Sequence, residues 1–285
     1  MKSALNILAF FSILFLFSCD KIEGPFGENN SNNGGGDTDI VYFRKVFVED
    51  FTGHTCGNCP RAAEKIELLK ENYGDKIVSM AIHVGFFAEP SPAGTEFETD
   101  FRTTTGNEID NFFGNASAGL PNGLINRKSF SGQTIIQYND WASKVNELVT
   151  IPADAWIKAT PSLNQTTREV SVSVLTSILQ EVDEPLSIVM YLVEDSIQSP
   201  QKDYDPSVPG GVIENYIHRH MLRSSINGAF GQPLSSDLVY TANQQFTTTG
   251  NYTIPITWNL SQMHLITVLY KTATKEVVQV DEKHL

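Results

Sequence analysis

Two cysteines separated by two residues, Cys56-Gly57-Asn58-Cys59, stand between a strand-like run and a helix-like run. That placement constrains the fold more than any other feature of the chain. Before the pair comes Val46-Phe47-Val48-Glu49-Asp50-Phe51, rich in the residue types that suit strands. After it come Ala62, Ala63, Ile66, Leu69 and Tyr73, which share one face of a helix. Pro60 suits that helix's first turn, where a missing N–H costs nothing. At such a junction the unpaired N–H groups and the helix dipole favour a thiolate. Cys56 is then the attacking sulfur and Cys59, one turn on, the resolving one. Two rival readings stay open. A static disulfide would use both cysteines without chemistry. A zinc site would need four ligands, and only His54 and His83 lie within reach in sequence, so no metal and no cofactor is assigned. A c-type haem attachment is excluded because Pro60, not histidine, follows Cys59.

The third cysteine, Cys19, has a separate explanation. Residues 1–18 open with Lys2 and run nearly unbroken in apolar residues from Leu5 to Phe17, shorter than the roughly 20 residues a membrane-spanning helix needs. The run ends in Leu16-Phe17-Ser18-Cys19, which resembles a bacterial lipoprotein signal, and that resemblance implies a lipidated (palmitate-bearing) Cys19 as the mature N-terminus. Several acyl chains together give stable anchoring where one is marginal. Residues 19–41 contain Asn29-Asn30-Ser31-Asn32-Asn33-Gly34-Gly35-Gly36 and read as a flexible tether that cannot bury a core.

About 245 residues remain, long for one compact domain and comfortable for two. A formal net charge of −13 argues against nucleic acid and against attraction to anionic lipid. So few cysteines in an exported protein of this size mean that burial, not a disulfide framework, holds the core.

Residues 42–150 alternate strands and helices. Strands are expected over Tyr42–Phe51, Ile77–Val84 and after Gly119, and helices over Cys59–Tyr73, Phe97–Phe113 and Ile135–Val149, which together give an α/β layer fold. Residues 151–285 change texture. Runs at Ala155–Ala159, Val170–Leu175, Leu186–Val193, Tyr252–Trp258, Leu265–Tyr270 and Glu276–Val280 predict an all-β antiparallel sandwich, Ig-like in pattern. Gly210–Gly231 interrupts this pattern and is expected to be partly helical or irregular. It holds His218-Arg219-His220 and Arg223, a candidate ligand site with no third ligand evident in sequence, or else a packed polar loop.

The first stretch resembles the thioredoxin superfamily. Asp50, six residues before Cys56, occupies the position of a buried carboxylate that takes a proton from the second cysteine, and Pro121 after Leu120 resembles the cis-proline that faces the dithiol. Thr55 replaces the usual tryptophan and Gly57-Asn58 replaces Gly-Pro. His54 is unusual at its position and, if close, would help stabilise the thiolate. The signal, the tether, Glu49 through Pro60, and Gly119-Leu120-Pro121-Asn122-Gly123 together resemble the family related to the twenty-eight-kilodalton outer-membrane protein of Bacteroidetes-type bacteria. That resemblance implies an outer-membrane lipoprotein with a thioredoxin-like part and a β-rich part. Two functions are consistent with it. One is thiol–disulfide exchange on exported proteins or peptides, with Cys56, Cys59, Asp50 and Pro121 as the working residues. The other is a non-enzymatic surface binding or adhesion lipoprotein in which Cys56–Cys59 is a structural disulfide.

Overall fold

The structure, a computed structural model, describes residues 42–285. The expected lipoprotein signal, Cys19 and the whole of the expected tether lie outside the described residues.

The first half runs β1 (Val46–Thr52), α1 (Cys59–Tyr73), β2 (Ile77–His83), α2 (Thr104–Phe113), α3 (Asn115–Ala118), β3 (Asn122–Ile125), β4 (Ile136–Gln137) and α4 (Trp141–Leu148). β1 pairs parallel with β2 and antiparallel with β3, and β3 pairs antiparallel with β4. Side chains alternate across β1. Val46 and Val48 meet Ala62, Ile66 and Leu69 of α1 and Trp141, Val145 and Leu148 of α4. Phe47 and Phe51 enter a separate core on the opposite face. The same alternation turns Asp50 toward α1 and Glu49 away from it.

The second half contributes β5 (Ala155–Leu163), β6 (Glu169–Ile178), β7 (Leu186–Glu194), β8 (Ile197–Gln198), β9 (Gln201–Lys202), β10 (Val212–Ile213), β11 (Ile217–His218), β12 (Met221–Ser225), β13 (Gln232–Pro233), β14 (Gln245–Thr253), β15 (Met263–Lys271) and β16 (Val277–His284). β5, β6 and β14 form a three-stranded antiparallel sheet. The larger sheet runs β16-β15-β7-β12-β2-β1-β3-β4, with β13 also on β7, so strands from both halves share one sheet across residue 150. The join is narrow. β12 meets β2 at a single parallel position, Met221 opposite Ala81, where the Ala81 N–H donates to the His220 carbonyl at 2.9 Å.

β7 is buried along its whole length because both its faces are covered. Leu186, Ile188, Met190 and Leu192 pack against β5 and β6. Val189, Tyr191 and Val193 meet Phe47, Phe51, Met80 and Ile82 from the first half. Side chains of β1, β2, β7 and β15 therefore share one core, which requires the large sheet to curl round it. Among the described residues neither sheet closes into a barrel. The architecture is a mixed α/β region followed by a largely β region.

Inside the curl lies a fully buried ion pair. Arg127 donates to both carboxylate oxygens of Glu49, at 2.6 and 2.7 Å, and to Tyr191 Oη at 3.0 Å. Neither charged side chain has any exposure. Burial alone pulls the guanidinium down, but the Glu49 charge and the hydrogen bonds outweigh it and hold Arg127 above its ordinary range. Burial pushes the Tyr191 phenol up to about 12, so it stays protonated and donates to the Ala229 carbonyl at 2.6 Å.

Several expected elements are shorter or displaced. The helix expected over Phe97–Phe113 begins only at Thr104, where Thr103 Oγ1 accepts from the Gly106 N–H and caps it. Phe97 and Phe101 instead pack on histidine rings. The helix expected over Ile135–Val149 is two elements, because Ile136 extends the sheet as β4 before the chain turns into α4. The strand expected over Tyr252–Trp258 is Gln245–Thr253. It ends before Pro255, which has no N–H to give a ladder. Gly210–Gly231 is not helical apart from a single 3-10 turn at Pro209–Gly211 but is mostly short strand pairs, and one of them, β12, carries the large sheet across to β2.

Candidate redox site

Cys59 is the first residue of α1 and Cys56 lies in the turn before it, closed by a Cys59 N–H to Cys56 carbonyl bond of 3.2 Å. The two sulfurs form a disulfide with Cα atoms 5.4 Å apart. Pro60 occupies the first helical turn. The Leu120–Pro121 bond is cis. Because Asn122 pairs with Phe51, Pro121 stands at the end of β1 where the disulfide loop begins. The structure thus brings Asp50, Cys56, Cys59 and Pro121 to one end of the sheet.

Under the disulfide loop is a cavity of about 300 Å³, lined among others by Asp50, Cys59, Ser79, His83, Tyr216 and His218. Asp50 is 3 % exposed, and its Oδ1 has no hydrogen-bond partner. Burial pushes its carboxyl up to about 8, so it holds a proton at neutral pH. His83 and His218 line the cavity, and the His83 ring lies 6.3 Å from that of His54 behind it and 5.4 Å from that of His218. Phe101 packs against all three. Burial drives His83 well below its ordinary range and His218 down to about 4, and it lowers His54 as well. These imidazoles are neutral at pH 7. His54 therefore brings no positive charge to the cysteines, contrary to the stabilising role its position suggested.

The sequence did not show a strap over the loop. Residues 201–205, from the β-rich half, pair with the backbone of residues 53–57. The Lys202 N–H donates to the His54 carbonyl and the Tyr204 N–H to the Gly57 carbonyl, both at 2.8 Å. Gln201 Nε2 donates to the Cys56 carbonyl at 3.0 Å. Asp203 is ion-paired with Arg61 of α1. Tyr204 covers Gly57 so closely that a Cβ there would lie 2.4 Å from its ring, which is why position 57 takes glycine. Under this strap each cysteine is only 2 % exposed. No local sequence signal marks residues 201–205, since every contact is to backbone or to a residue about 140 positions away.

The candidate pair His218 and His220 does not form one site. His218 faces the disulfide cavity, while His220, at positive φ, turns to His264 and Glu282.

Comparison with known proteins gives one likeness in fold and two weaker alignments. HBP35 of Porphyromonas gingivalis is similar in fold, with a TM-score of 0.63 at 15 % identity, over 86 % of this chain and 76 % of that one. A protein of Agrobacterium tumefaciens aligns with a TM-score of 0.49 at 12 % identity over 85 % of this chain and 93 % of its own. A domain of the outer membrane lipoprotein Omp28 from Porphyromonas gingivalis aligns with a TM-score of 0.31 at 17 % identity over 47 % of this chain and 88 % of its own. No curated protein matches. Among the described residues no helix is long and apolar enough to cross a membrane. Residues 107–285, more than half of the chain, match the family described as outer membrane protein Omp28, and the chain belongs to that family and to the outer membrane.

Proposed function

We propose that this is an outer-membrane lipoprotein, anchored through lipid on Cys19, whose thioredoxin-like residues 42–150 carry out thiol–disulfide exchange on exported proteins or peptides, beside an Ig-like β-sandwich at 151–285. The observation that carries this reading is Asp50. A buried carboxyl with an unpartnered oxygen costs stability, and a purely structural disulfide has no use for it. In the oxidised form a substrate thiolate attacks Cys56 Sγ and Cys59 leaves. The protonated Asp50, on the same cavity, supplies the proton that Cys59 takes up. A second substrate thiolate then releases Cys56 as a thiolate. The substrate dithiol becomes a disulfide and the protein disulfide a dithiol. In the opposite direction Asp50, ionised, receives the Cys59 proton.

The short span of the disulfide supports the same reading. It links residues only three apart, so its constraint on the unfolded chain is worth only about 2 kcal/mol, a weak staple for 244 described residues.

One observation favours the second reading, a surface binding lipoprotein with a resting disulfide: the strap leaves neither sulfur exposed. Exchange therefore requires residues 201–205 to lift. The test is disulfide exchange with glutathione and a reduced client peptide, with Cys56→Ser as control, together with trapping by Cys59→Ala in cells. Exchange lost in Cys56→Ser and mixed disulfides captured by Cys59→Ala are expected. No exchange, with a reduction potential below about −300 mV, where structural disulfides lie, refutes the enzymatic reading. Acyl labelling that is lost in Cys19→Ser tests the anchor.

A further inference from the structure

The chain has six histidines, and they fall into two groups of three. His54, His83 and His218 sit beside the disulfide. His220, His264 and His284 gather at the far ends of β15 and β16, with His264 between the other two at ring separations of 5.3 and 4.9 Å. This second group has no part in the redox chemistry proposed above.

We infer that His220, His264 and Glu282 form a binding site for a borderline divalent metal ion, with Zn²⁺ as its representative. His220 Nε2 lies 3.0 Å and His264 Nδ1 2.9 Å from the same oxygen, Oε1 of Glu282. The three ligand atoms are mutually within 4.8 Å. A tetrahedral zinc ion with bonds near 2.1 Å holds its ligands about 3.4 Å apart. Small side-chain rotations therefore open the cluster enough to admit the ion. The donor set, two imidazoles and one carboxylate, suits zinc and its neighbours better than calcium or magnesium, which prefer all-oxygen shells.

The site is reachable, with side chains 13 % (His220), 20 % (His264) and 19 % (Glu282) exposed.

The groups around the cluster set its tuning. Lys70 Nζ stands 3.4 Å from both ring nitrogens of His220. Asp195 is 3.9 Å from His220 Nδ1. The Lys70 charge opposes a cation, and Asp195 favours one. The ligands come from the residue before β12, from β15 and from β16. A bound ion therefore ties β12, at its single-position join to β2, to the outer strands of the sheet.

The experiment is Zn²⁺ titration of the oxidised full chain against a competing chelator, with Co²⁺ as spectroscopic probe. One equivalent of Zn²⁺ is expected. His264→Gln and Glu282→Gln should each lower affinity at least about tenfold, and Lys70→Met should raise it several-fold by removing the opposing charge. The Co²⁺ protein should show ligand-field bands without a thiolate charge-transfer band. The Cys56→Ser/Cys59→Ser variant should bind as the parent does. Absence of one-equivalent binding in the folded parent overturns the proposal. So does binding indifferent to His264→Gln and Glu282→Gln, or binding that depends on the cysteines. The Co²⁺ spectrum and the Lys70→Met variant decide the matter even if a ligand substitution prevents folding.

Discussion

Asp50→Asn tests whether the acid under the disulfide is built in at a cost. The folded-state value of about 8 stands against 3.8 for the free group. Between those values the native protein keeps a proton that the unfolded chain has released. Where the native state holds more protons, stability falls as pH rises. Each unit is worth 1.36 kcal/mol. The whole window therefore carries a penalty of up to about 6 kcal/mol above pH 8, about 4 kcal/mol of it already present at pH 7 and none below pH 4. Asparagine keeps the shape and does not titrate. The gain in stability from Asp50→Asn should therefore grow with pH from about 4 and level off above 8.

The difference between the two proteins is the quantity to measure. His218, lowered to about 4, and His83, lowered well below its ordinary range, add an opposite slope. The unfolded chain takes up their protons first, so they make stability rise with pH up to about 6.5. That slope is common to both proteins and cancels. The assay is urea unfolding of the oxidised forms, where no thiol titrates, at intervals from pH 4 to pH 9. Half the ceiling, about 3 kcal/mol across the window, still supports the reasoning. A difference flat across that range refutes it, because Asp50 would then be ionised in the fold or solvated through the cavity.

Three other outcomes follow from the same structure. Arg127→Met leaves Glu49 buried and unpaired and should cost about 3–5 kcal/mol in urea unfolding, with Glu49→Gln/Arg127→Met recovering much of the loss. Tyr204→Ala removes the ring over Gly57. If it eases strap opening by about 1 kcal/mol, dithiothreitol should reduce the disulfide about fivefold faster, and an unchanged rate would show that the strap does not limit access. Cys56→Ser/Cys59→Ser should cost only about 2 kcal/mol with the fold kept by circular dichroism, and loss of the fold would make the disulfide a structural staple.

What was legible in the sequence was what local pattern encodes. The helix Cys59–Tyr73 has the bounds its apolar spacing implied, and β2 differs from the expected strand by one residue. β14 was displaced because Gln245, Thr247, Thr249 and Asn251 offer no apolar alternation, its partner being β6 alone at a sheet edge. β12 was hidden for a different reason. Its place in the large sheet depends on pairing with β7 and β2, and nothing within five residues of Met221 announces either. The site followed the same division. Asp50 and the cysteines lie within ten residues of each other and were readable. The strap and the Glu49–Arg127 pair join residues 78 to 148 positions apart, and the His220–His264–Glu282 cluster residues 18 to 62 apart on three different strands or strand ends, so they became visible only in the fold.

The family match begins at residue 107, after Asp50, Cys56 and Cys59, yet it includes the strap and Pro121. The matched part of the chain thus includes the segment that covers the disulfide. The strap's bonds into the loop run to carbonyls of residues 53, 54, 56 and 57, and these are indifferent to the side chains there. Of these, Gly57 is crowded by the strap itself, through Tyr204, and Gly53 by the Phe87 backbone outside it. A strap built in this way closes over any loop of the same backbone, with or without sulfur. Asp50 then separates the two readings, because it is the buried carboxyl at the site, and its unpartnered oxygen, like the unpartnered ring nitrogens of His54, His83 and His218 around it, is left unexplained by the strap and the disulfide.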